Sequence, residues 1–241
     1  NLTKLTLGSY PNERVILKSL EGIENCGKLT NILFLNAEIE KMDGIEWCSN
    51  LEYFESRHSY IGDFSALKNC TKLNTIYYNR GSDAKKINVN KLMDSIKNIS
   101  SLQTIKINGV EMTNMKELEK INADLKLIDL SNNQIQKIEC IEKFTNLESI
   151  VLMNNNIKDI TPLAKNEKLK TITLSNNPEI DGNRSNYSGE RLIALNKIGS
   201  ILDNGGNISL DIDKIGLFTN YKTLNLQNQK LETLDQLEGL T

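Results

Sequence analysis

The sequence predicts a solenoid of short stacked repeats, an α/β-type arc in which about nine short strands form a parallel, concave β-sheet. Three observations predict it. A pattern of aliphatic residues recurs about every 22 residues, Asn recurs at one position of that pattern, and only 5% of the 241 residues are aromatic. A short repeat cannot bury its apolar face alone, so neighbouring repeats stack and share a continuous aliphatic core. The convex side is expected to carry loops, 3-10 turns and short helices.

The repeat is clearest in the middle of the chain, where its template reads L-x-x-I/L-x-L-x-x-N-x-I-x-x-I. The unit that begins at Leu125 is followed by one that begins at Leu147, with the same residue types in the same places. Looser copies cover nearly the whole chain, and repeat starts are predicted at Leu2, Leu29, Leu51, Leu73, Leu102, Leu125, Leu147, Leu169 and Tyr221. We therefore expect residues 1–241 to form a single repeat domain. A first residue other than Met, and an end within a repeat, suggest part of a longer protein.

The motif L-x-x-L-x-L-x-x-N-x-L is the signature of leucine-rich repeats. The spacing and the segment Asp159-Ile160-Thr161-Pro162-Leu163-Ala164 resemble the repeats of bacterial internalin-type surface proteins. The resemblance implies a short strand, a turn and a looser convex segment in each repeat. The early repeats depart from this pattern, because at the Asn position they carry Ala37, Ser59, Gly81 and Val110.

The recurring Asn residues are predicted to be structural. An amide side chain can hydrogen-bond the backbone groups that leave the strand ladder at the turn, both in its own repeat and in the neighbouring one. We expect this role for Asn133, Asn155 and Asn177.

Two insertions have helical spacing. Leu92, Ile96 and Ile99 follow Asn88 and Asn90, either of which could cap a convex-side helix. In the insertion 183–206, the spacing of apolar residues and the following Gly205-Gly206 predict a helix over residues 189–203. That helix could cover an exposed edge, mark a junction between two arrays or bind a partner. The poorly matched stretch 208–218 could start a separate small array.

Cys26, Cys48 and Cys70 stand 22 residues apart, each three residues before a repeat start. Stacked thiols could form a disulfide or bind a soft metal, but small buried thiols that fill one slot of the core explain the spacing better. Cys140 lies outside that register and is expected to be partly exposed. Since His58 is the only histidine, no metal site and no cofactor are predicted.

Composition excludes several kinds of partner. With 29 basic and 31 acidic residues, the net charge of -2 gives no single-sign field for nucleic acid. No stretch is apolar enough to span a membrane. Neither a nucleophile elbow nor a glycine-rich phosphate loop occurs, and the carboxylates show no special clustering, so an enzyme is not expected.

The residues that face outward from the concave sheet can be read from the strand alternation. Early and middle repeats present apolar, aromatic and charged residues, whereas late repeats present mostly hydroxyl groups. Tyr and Arg frequently anchor interfaces, and Tyr53, Arg57, Tyr77 and Arg80 are the strongest candidates. Alternatively, the outward aliphatic residues only pack against their neighbours in the stack. The predicted protein-binding set is Leu33, Leu35, Tyr53, Glu55, Arg57, His58, Tyr77, Arg80, Lys106, Leu127, Val151 and Met153.

These observations predict a monomeric, non-catalytic module that binds a protein on its concave face. The internalin resemblance implies a bacterial surface or secreted protein. The alternative is an intracellular, cytoplasmic scaffold that resembles phosphatase-regulatory subunits, which carry related repeats.

Overall fold

The computed structural model describes residues 1–11, 13–203 and 205–218. It is a leucine-rich repeat solenoid, as predicted, and its main parallel sheet has nine strands among these residues. The chain divides into two compact units, residues 1–110 with 116–125, and residues 111–115 with 126 onward. The repeat start predicted at Tyr221 lies outside the described residues. None of the described helices is both long and apolar enough to cross a bilayer.

The first unit contains two parallel sheets and one α-helix. In chain order its elements are β1 (Lys4–Leu7), β2 (Val15–Leu17), β3 (Asn31–Leu35), β4 (Ala37–Ile39), β5 (Tyr53–Arg57), β6 (Tyr60–Ile61), β7 (Thr75–Asn79), α1 (Val89–Ile96) and β8 (Thr104–Asn108). Strands β1, β3, β5, β7 and β8 belong to the main sheet, and β2, β4 and β6 form a second sheet. Three 3-10 helices complete the unit: Ile45–Trp47, Ser65–Asn69 and Lys116–Lys120.

The main strands of this unit alternate between buried and partly exposed residues. Ile32, Phe54, Ile76 and Ile105 are register partners across four strands, and all four are fully buried. The intervening residues face outward. This alternation is the expected consequence of a pleated strand with one face on the core, and it confirms the predicted orientation.

The second sheet was not predicted. It forms where the early repeats lack the recurring Asn, with Ala37 paired to Val15 and Ile39 paired to Ile61. Ser59 assists at this turn, since its hydroxyl accepts a hydrogen bond from the amide of Ala37 (2.9 Å) and donates one to the carbonyl of Arg57 (2.8 Å). Backbone groups that leave the main sheet are thereby paired in a second ladder.

The second unit has short strands, and its recurring Asn side chains bind the backbone groups that a second sheet pairs in the first unit. Its elements are β9 (Leu127–Asp129), β10 (Ser149–Val151), β11 (Thr171–Thr173), α2 (Gly189–Asp203) and β12 (Asn207–Ser209). Its 3-10 helices are Glu139–Lys143, Thr161–Lys165, Arg184–Asn186 and Ile212–Leu217. The side-chain amide of Asn155 donates to the carbonyls of Leu130 and Leu152, and its oxygen accepts from the amide of Ile135, each at 3.0 Å. The predicted structural role of these Asn residues is confirmed.

Both predicted helices are present. Asn88 caps α1, because its side chain accepts from the amide of Lys91 at 3.2 Å. Helix α2 has the predicted bounds, 189–203, and buries Leu195, Ile198 and Leu202. Each α-helix packs against neighbouring 3-10 helices, α1 against Ser65–Asn69 and Lys116–Lys120, and α2 against Thr161–Lys165. The insertions therefore extend the layer of helical segments behind the sheet.

The stretch 208–218 does not open a separate array at its start. Strand β12 pairs in parallel with β11 and continues the main sheet, with Ile208 beside Ile172. Ile208 and Leu210 are buried, so the inward positions follow the repeat. The expected starting Leu is replaced by Gly205 at the end of α2, which hid this repeat from the sequence pattern.

The cysteine ladder occupies a slot in the core. Cys48 and Cys70 are fully buried, Cys26 is partly exposed, and all four cysteines of the chain are free. The thiol of Cys70 donates to the carbonyl of Ile45 at 3.6 Å. In the second unit Asn166 fills the same slot and donates to the carbonyl of Ile141 at 3.0 Å. Among the described residues no group of His, Cys, Asp and Glu is arranged to hold a metal ion.

Candidate protein-binding surface

The outward residues of the first unit form a continuous surface on its main sheet. One row runs straight across four strands, because Leu33, Glu55, Tyr77 and Lys106 are register partners. A second row contains Leu35 and Arg57. Seven of the predicted residues, these six and Tyr53, thus lie on four strands of one sheet face.

Glu55 is the buried centre of this surface. Only 5% of its surface is exposed, so it is less accessible than the strand alternation predicts. The hydroxyl of Tyr53 donates to one carboxylate oxygen at 2.7 Å, and the Nε of Arg57 donates to the other. The pKa of Tyr53 is raised to about 12, mainly because the side chain loses solvation on burial and secondly because of its hydrogen bond to Glu55. The Tyr53 hydroxyl therefore stays protonated at neutral pH, and its hydrogen bond holds the carboxylate in place.

Tyr77 lies between two cations. The guanidinium carbon of Arg57 is 5.2 Å from the centre of its ring, and the ammonium of Lys106 is 5.7 Å from it. Cations over an aromatic face are attracted by the ring quadrupole. The ring and the two cations therefore fix one another's positions before any partner binds.

Two aliphatic side chains lie beside this cluster. Leu33 and Leu35 project from β3, and both are partly exposed while Ile32 and Phe34 between and beside them are buried. In the register, Leu33 lies next to Glu55 and Leu35 lies next to Arg57. The surface thus has an apolar strand at one side and a polar, aromatic centre.

His58 lies at the rim and has a second set of contacts. Its backbone is in the left-handed region, with φ of 51°. Its ring stacks on Tyr10 with 4.3 Å between the ring centres, and its Nδ1 lies 3.6 Å from a carboxylate oxygen of Asp83. Arg14 also contacts Asp83, at 3.2 Å. This rim cluster joins the N-terminal segment to the loop that follows β7.

Arg80, another strong candidate from the sequence, lies just beyond β7. Its backbone amide donates to the carbonyl of Asn108 at 3.2 Å, and its side chain is partly exposed. It belongs to the edge of the surface rather than to the cluster around Tyr77.

Three residues of this rim cluster were not predicted: Tyr10, Arg14 and Asp83. None of them lies in a position defined by the repeat, so the periodic pattern did not identify them. A usable signal was present at His58, where other repeats carry Asn in the left-handed conformation. A histidine there points a large ring into a place that normally holds a small amide.

The outward face of the second unit is plainer. The predicted residues Leu127, Val151 and Met153 are all partly exposed on or just after their strands. Their neighbours are Ser149 and Thr173 in the register. This face carries isolated apolar side chains among hydroxyl groups, and no aromatic residue lies on its described strands.

The second unit has an open depression of about 480 Å³, which is lined by Lys168, Lys170, Lys197 and other residues. Lys170 contacts Glu148 at 2.6 Å, Lys197 contacts Glu167 at 2.5 Å, and Lys168 donates to the side-chain oxygen of Asn146. The Cys140 thiol is partly exposed, as predicted, and lies 3.1 Å from the carbonyl of Met115.

Comparison with known proteins supports the fold. The profile for leucine-rich repeats in two copies matches residues 123–165. Two similar solved structures are internalins of Listeria monocytogenes. Internalin C2 is 20% identical with a TM-score of 0.60, covering 80% of this chain and 76% of that one. Internalin F is 20% identical with a TM-score of 0.54, covering 93% of this chain and 75% of that one.

A third similar structure comes from a plant. The ectodomain of the receptor kinase GASSHO1/SCHENGEN3 of Arabidopsis thaliana is 16% identical with a TM-score of 0.52, covering 87% of this chain and 26% of that one. No curated protein sequence matches the chain.

Together, the repeat profile over residues 123–165, the parallel sheet and the similar solved structures define a leucine-rich repeat fold. Within that class the fold is internalin-like.

Proposed function

We propose that this chain is a non-catalytic module that binds a protein partner on the outward face of its main sheet. The observation that carries the proposal is the cluster of Tyr53, Glu55, Arg57, Tyr77 and Lys106. Its side chains are already held together by hydrogen bonds and cation–π contacts. Groups fixed before binding lose less conformational entropy on association, and Tyr and Arg are frequent interface hot spots.

The comparisons support the same role. The plant ectodomain was solved in complex with CASPARIAN STRIP INTEGRITY FACTOR 2, so a similar fold takes part in a complex there. The internalin-like fold favours a bacterial protein that is secreted or displayed on the cell surface. No observation favours the cytoplasmic scaffold of the phosphatase-regulatory type. We also propose that residues 1–241 form one repeat domain, which is monomeric in solution.

In the first unit, the proposed binding residues are the cluster, its neighbours Leu33 and Leu35, and the rim residues His58 and Arg80. In the second unit, taken by itself, they are Leu127, Val151 and Met153. Among these, the cluster is expected to dominate. Apolar residues scattered singly on a surface are ordinary in soluble proteins, whereas an aromatic ring flanked by cations offers both area and charge.

The test is affinity capture on the immobilised chain, followed by mass spectrometry. Extracts of host cells and bacteria are compared between the unchanged chain and the variant Tyr77→Ala. We expect the specifically captured protein to be lost by about tenfold or more, because a hot-spot aromatic contributes at least 2 kcal/mol. The matched control is Tyr60→Ala, which removes a Tyr from the second sheet.

One further variant and one further measurement keep the result interpretable. Tyr77→Phe retains the ring and should retain capture, which separates loss of the ring from loss of the hydroxyl. Circular dichroism of each variant checks that the fold is intact. Equal capture by Tyr77→Ala and the unchanged chain would overturn the proposal.

A further inference from the structure

The outward face of the first unit carries an excess of positive charge. The strand alternation and register place Lys4, Arg57 and Lys106 on that face, together with one carboxylate, Glu55. Three cations and one anion leave a net charge of +2. Glu55 is buried and already bonded to Tyr53 and Arg57, so the charge presented to a partner is positive.

Two of these cations have donors to spare. The side chain of Arg57 is 48% exposed and bonds Glu55 only through Nε, whereas a guanidinium has five N–H donors. Lys106 contacts the Tyr77 ring, and within the described part of the chain no carboxylate lies in ion-pair distance of it. Arg57 and Lys106 thus present N–H groups for which residues 1–11, 13–203 and 205–218 provide no acceptor.

The distance between the two ends of the outward row follows from the number of strands that it crosses. The row consists of Leu33, Glu55, Tyr77 and Lys106. It crosses from β3 to β8 in three strand steps, and adjacent strands lie about 4.8 Å apart. The apolar end at Leu33 and the cationic end at Lys106 are therefore separated by about 14 Å. An extended peptide rises about 3.3 Å per residue, so about four residues span that row.

We propose that the partner contributes an acidic, extended segment that crosses the strands of the first unit. An aliphatic side chain of this segment lies on Leu33, its backbone crosses Tyr77, and Asp or Glu about four residues further along pairs with Lys106. A neighbouring carboxylate accepts from the terminal N–H groups of Arg57. The inference rests on the proposed function and names the chemistry that the site selects.

A random peptide display library, selected on the immobilised full chain, tests this directly. The selected peptides are sequenced, and those that also bind Tyr77→Ala are set aside. We expect the remaining peptides to be enriched in Asp and Glu, with an aliphatic residue about four positions from an acidic one. Peptides that depend on Tyr77 but lack acidic residues would overturn this inference and leave the proposed function standing. If no peptide depends on Tyr77, both fail.

A double-mutant cycle with the best selected peptide tests whether its acidic residue pairs with Lys106. Its acidic residue is replaced by Gln, and fluorescence anisotropy measures both peptides against the unchanged chain and Lys106→Gln. We expect each single change to weaken binding by about tenfold, and the two changes together to weaken it by no more than either one. Lys41→Gln, an exposed lysine away from the sheet face, should leave binding unchanged. Additive losses in the cycle would show that Lys106 does not receive the carboxylate.

Discussion

The two units solve one problem, the turn that follows each strand, in different ways. In the second unit a buried Asn side chain hydrogen-bonds the backbone of its own repeat and of the preceding one. In the first unit Ala37 and Ser59 occupy that position, and the backbone continues into the second sheet. The main strands are five residues long from β3 to β8 but only three residues long from β9 to β12.

The difference affects the surface as well as the core. Longer strands in the first unit present three outward positions each, which hold Tyr53, Glu55 and Arg57 on β5. The three-residue strands of the second unit present two, such as Ser149 and Val151 on β10. The five-residue strands include β3 and β5, which precede strands of the second sheet, and also β7 and β8, which do not. The cluster around Tyr77 lies on the wider outward face of these four strands.

The largest effect is expected from Asn155→Ala. It leaves the amide of Ile135 and the carbonyls of Leu130 and Leu152 without this partner. Since a buried group left unsatisfied costs about 1–3 kcal/mol, we expect a loss of about 3 kcal/mol in the free energy of unfolding. Urea denaturation followed by circular dichroism measures it.

The matched control is the preceding residue. Asn154 is in the left-handed region, with φ of 56°, and bonds Asn132 and Asn176 at the surface. Asn154→Ala should cost about 1 kcal/mol, mainly from the backbone conformation. An equal loss in the two variants would show that the buried Asn is not the main device of the second unit.

Alkaline pH should destabilise the first unit. Burial raises the pKa of Cys48 to about 11 and that of Cys70 to about 12, whereas an unfolded thiol titrates near 9. Above that pH the unfolded chain loses protons that the folded chain retains, so stability falls as pH rises. Between pH 8 and pH 10 we expect a loss of about 2 kcal/mol from the two thiols.

The same slot in the second unit holds Phe144 and Asn166, which do not titrate. Urea denaturation of the double variant Cys48→Ala and Cys70→Ala should therefore show a flatter dependence on pH, although the variant itself is less stable. Tyr53 and Tyr78, whose pKa values are also raised by burial, add a smaller slope of the same sign. A double variant with an unchanged slope would refute the assignment to the thiols.

Ser59→Ala tests how much the Ser59 hydroxyl stabilises the turn that follows strand β5 in the first unit. It removes the acceptor of the Ala37 amide and the donor to the Arg57 carbonyl. The second sheet remains, so we expect a smaller loss than for Asn155→Ala, about 1.5 kcal/mol. Ser100→Ala, at an exposed position, serves as the control in the same denaturation experiment. A loss as large as that of Asn155→Ala would mean that Ser59, rather than the second ladder, is the main support of this turn.

The smallest effect is expected from His58→Asn. Asn occupies the left-handed position at Asn132, Asn154 and Asn176, so the backbone is retained and stability should change by less than about 0.5 kcal/mol. His58→Val, by contrast, places a β-branched residue at positive φ and should cost about 2 kcal/mol. Similar thermal midpoints for the two variants would contradict this account of the position.

Much of the fold was predictable because the repeat is periodic. The alternation placed Ile32 and Ile76 inward and Tyr53 and Tyr77 outward, and of the two Asn residues that could cap α1 the structure uses Asn88. The second sheet was not predictable in this way. At residues 37–39 the repeat pattern shows only that Ala37 departs from the Asn position. The pairing of these residues depends on backbone groups in two neighbouring repeats rather than on local preference.

The candidate surface was predicted in composition but not in its internal contacts. Strand alternation identifies Glu55 as outward, but its burial results from the side chains of Tyr53 and Arg57, which the alternation does not describe. The rim contact between Tyr10 and His58 joins residues that are not one repeat apart. Periodicity predicts neighbours at the repeat spacing, so contacts at other spacings escape it.

The rim cluster has a mechanical consequence. In a repeat array each repeat is stabilised mainly by its nearest neighbours, so repeats can unfold one after another from an end. Arg14 and Asp83 are 69 positions apart in the chain, and Lys85 reaches back to Glu38 from the same loop. These ties bridge more than one repeat. Under a pulling force applied at the N-terminus, the repeats that these two contacts connect should unfold together in one step rather than one at a time.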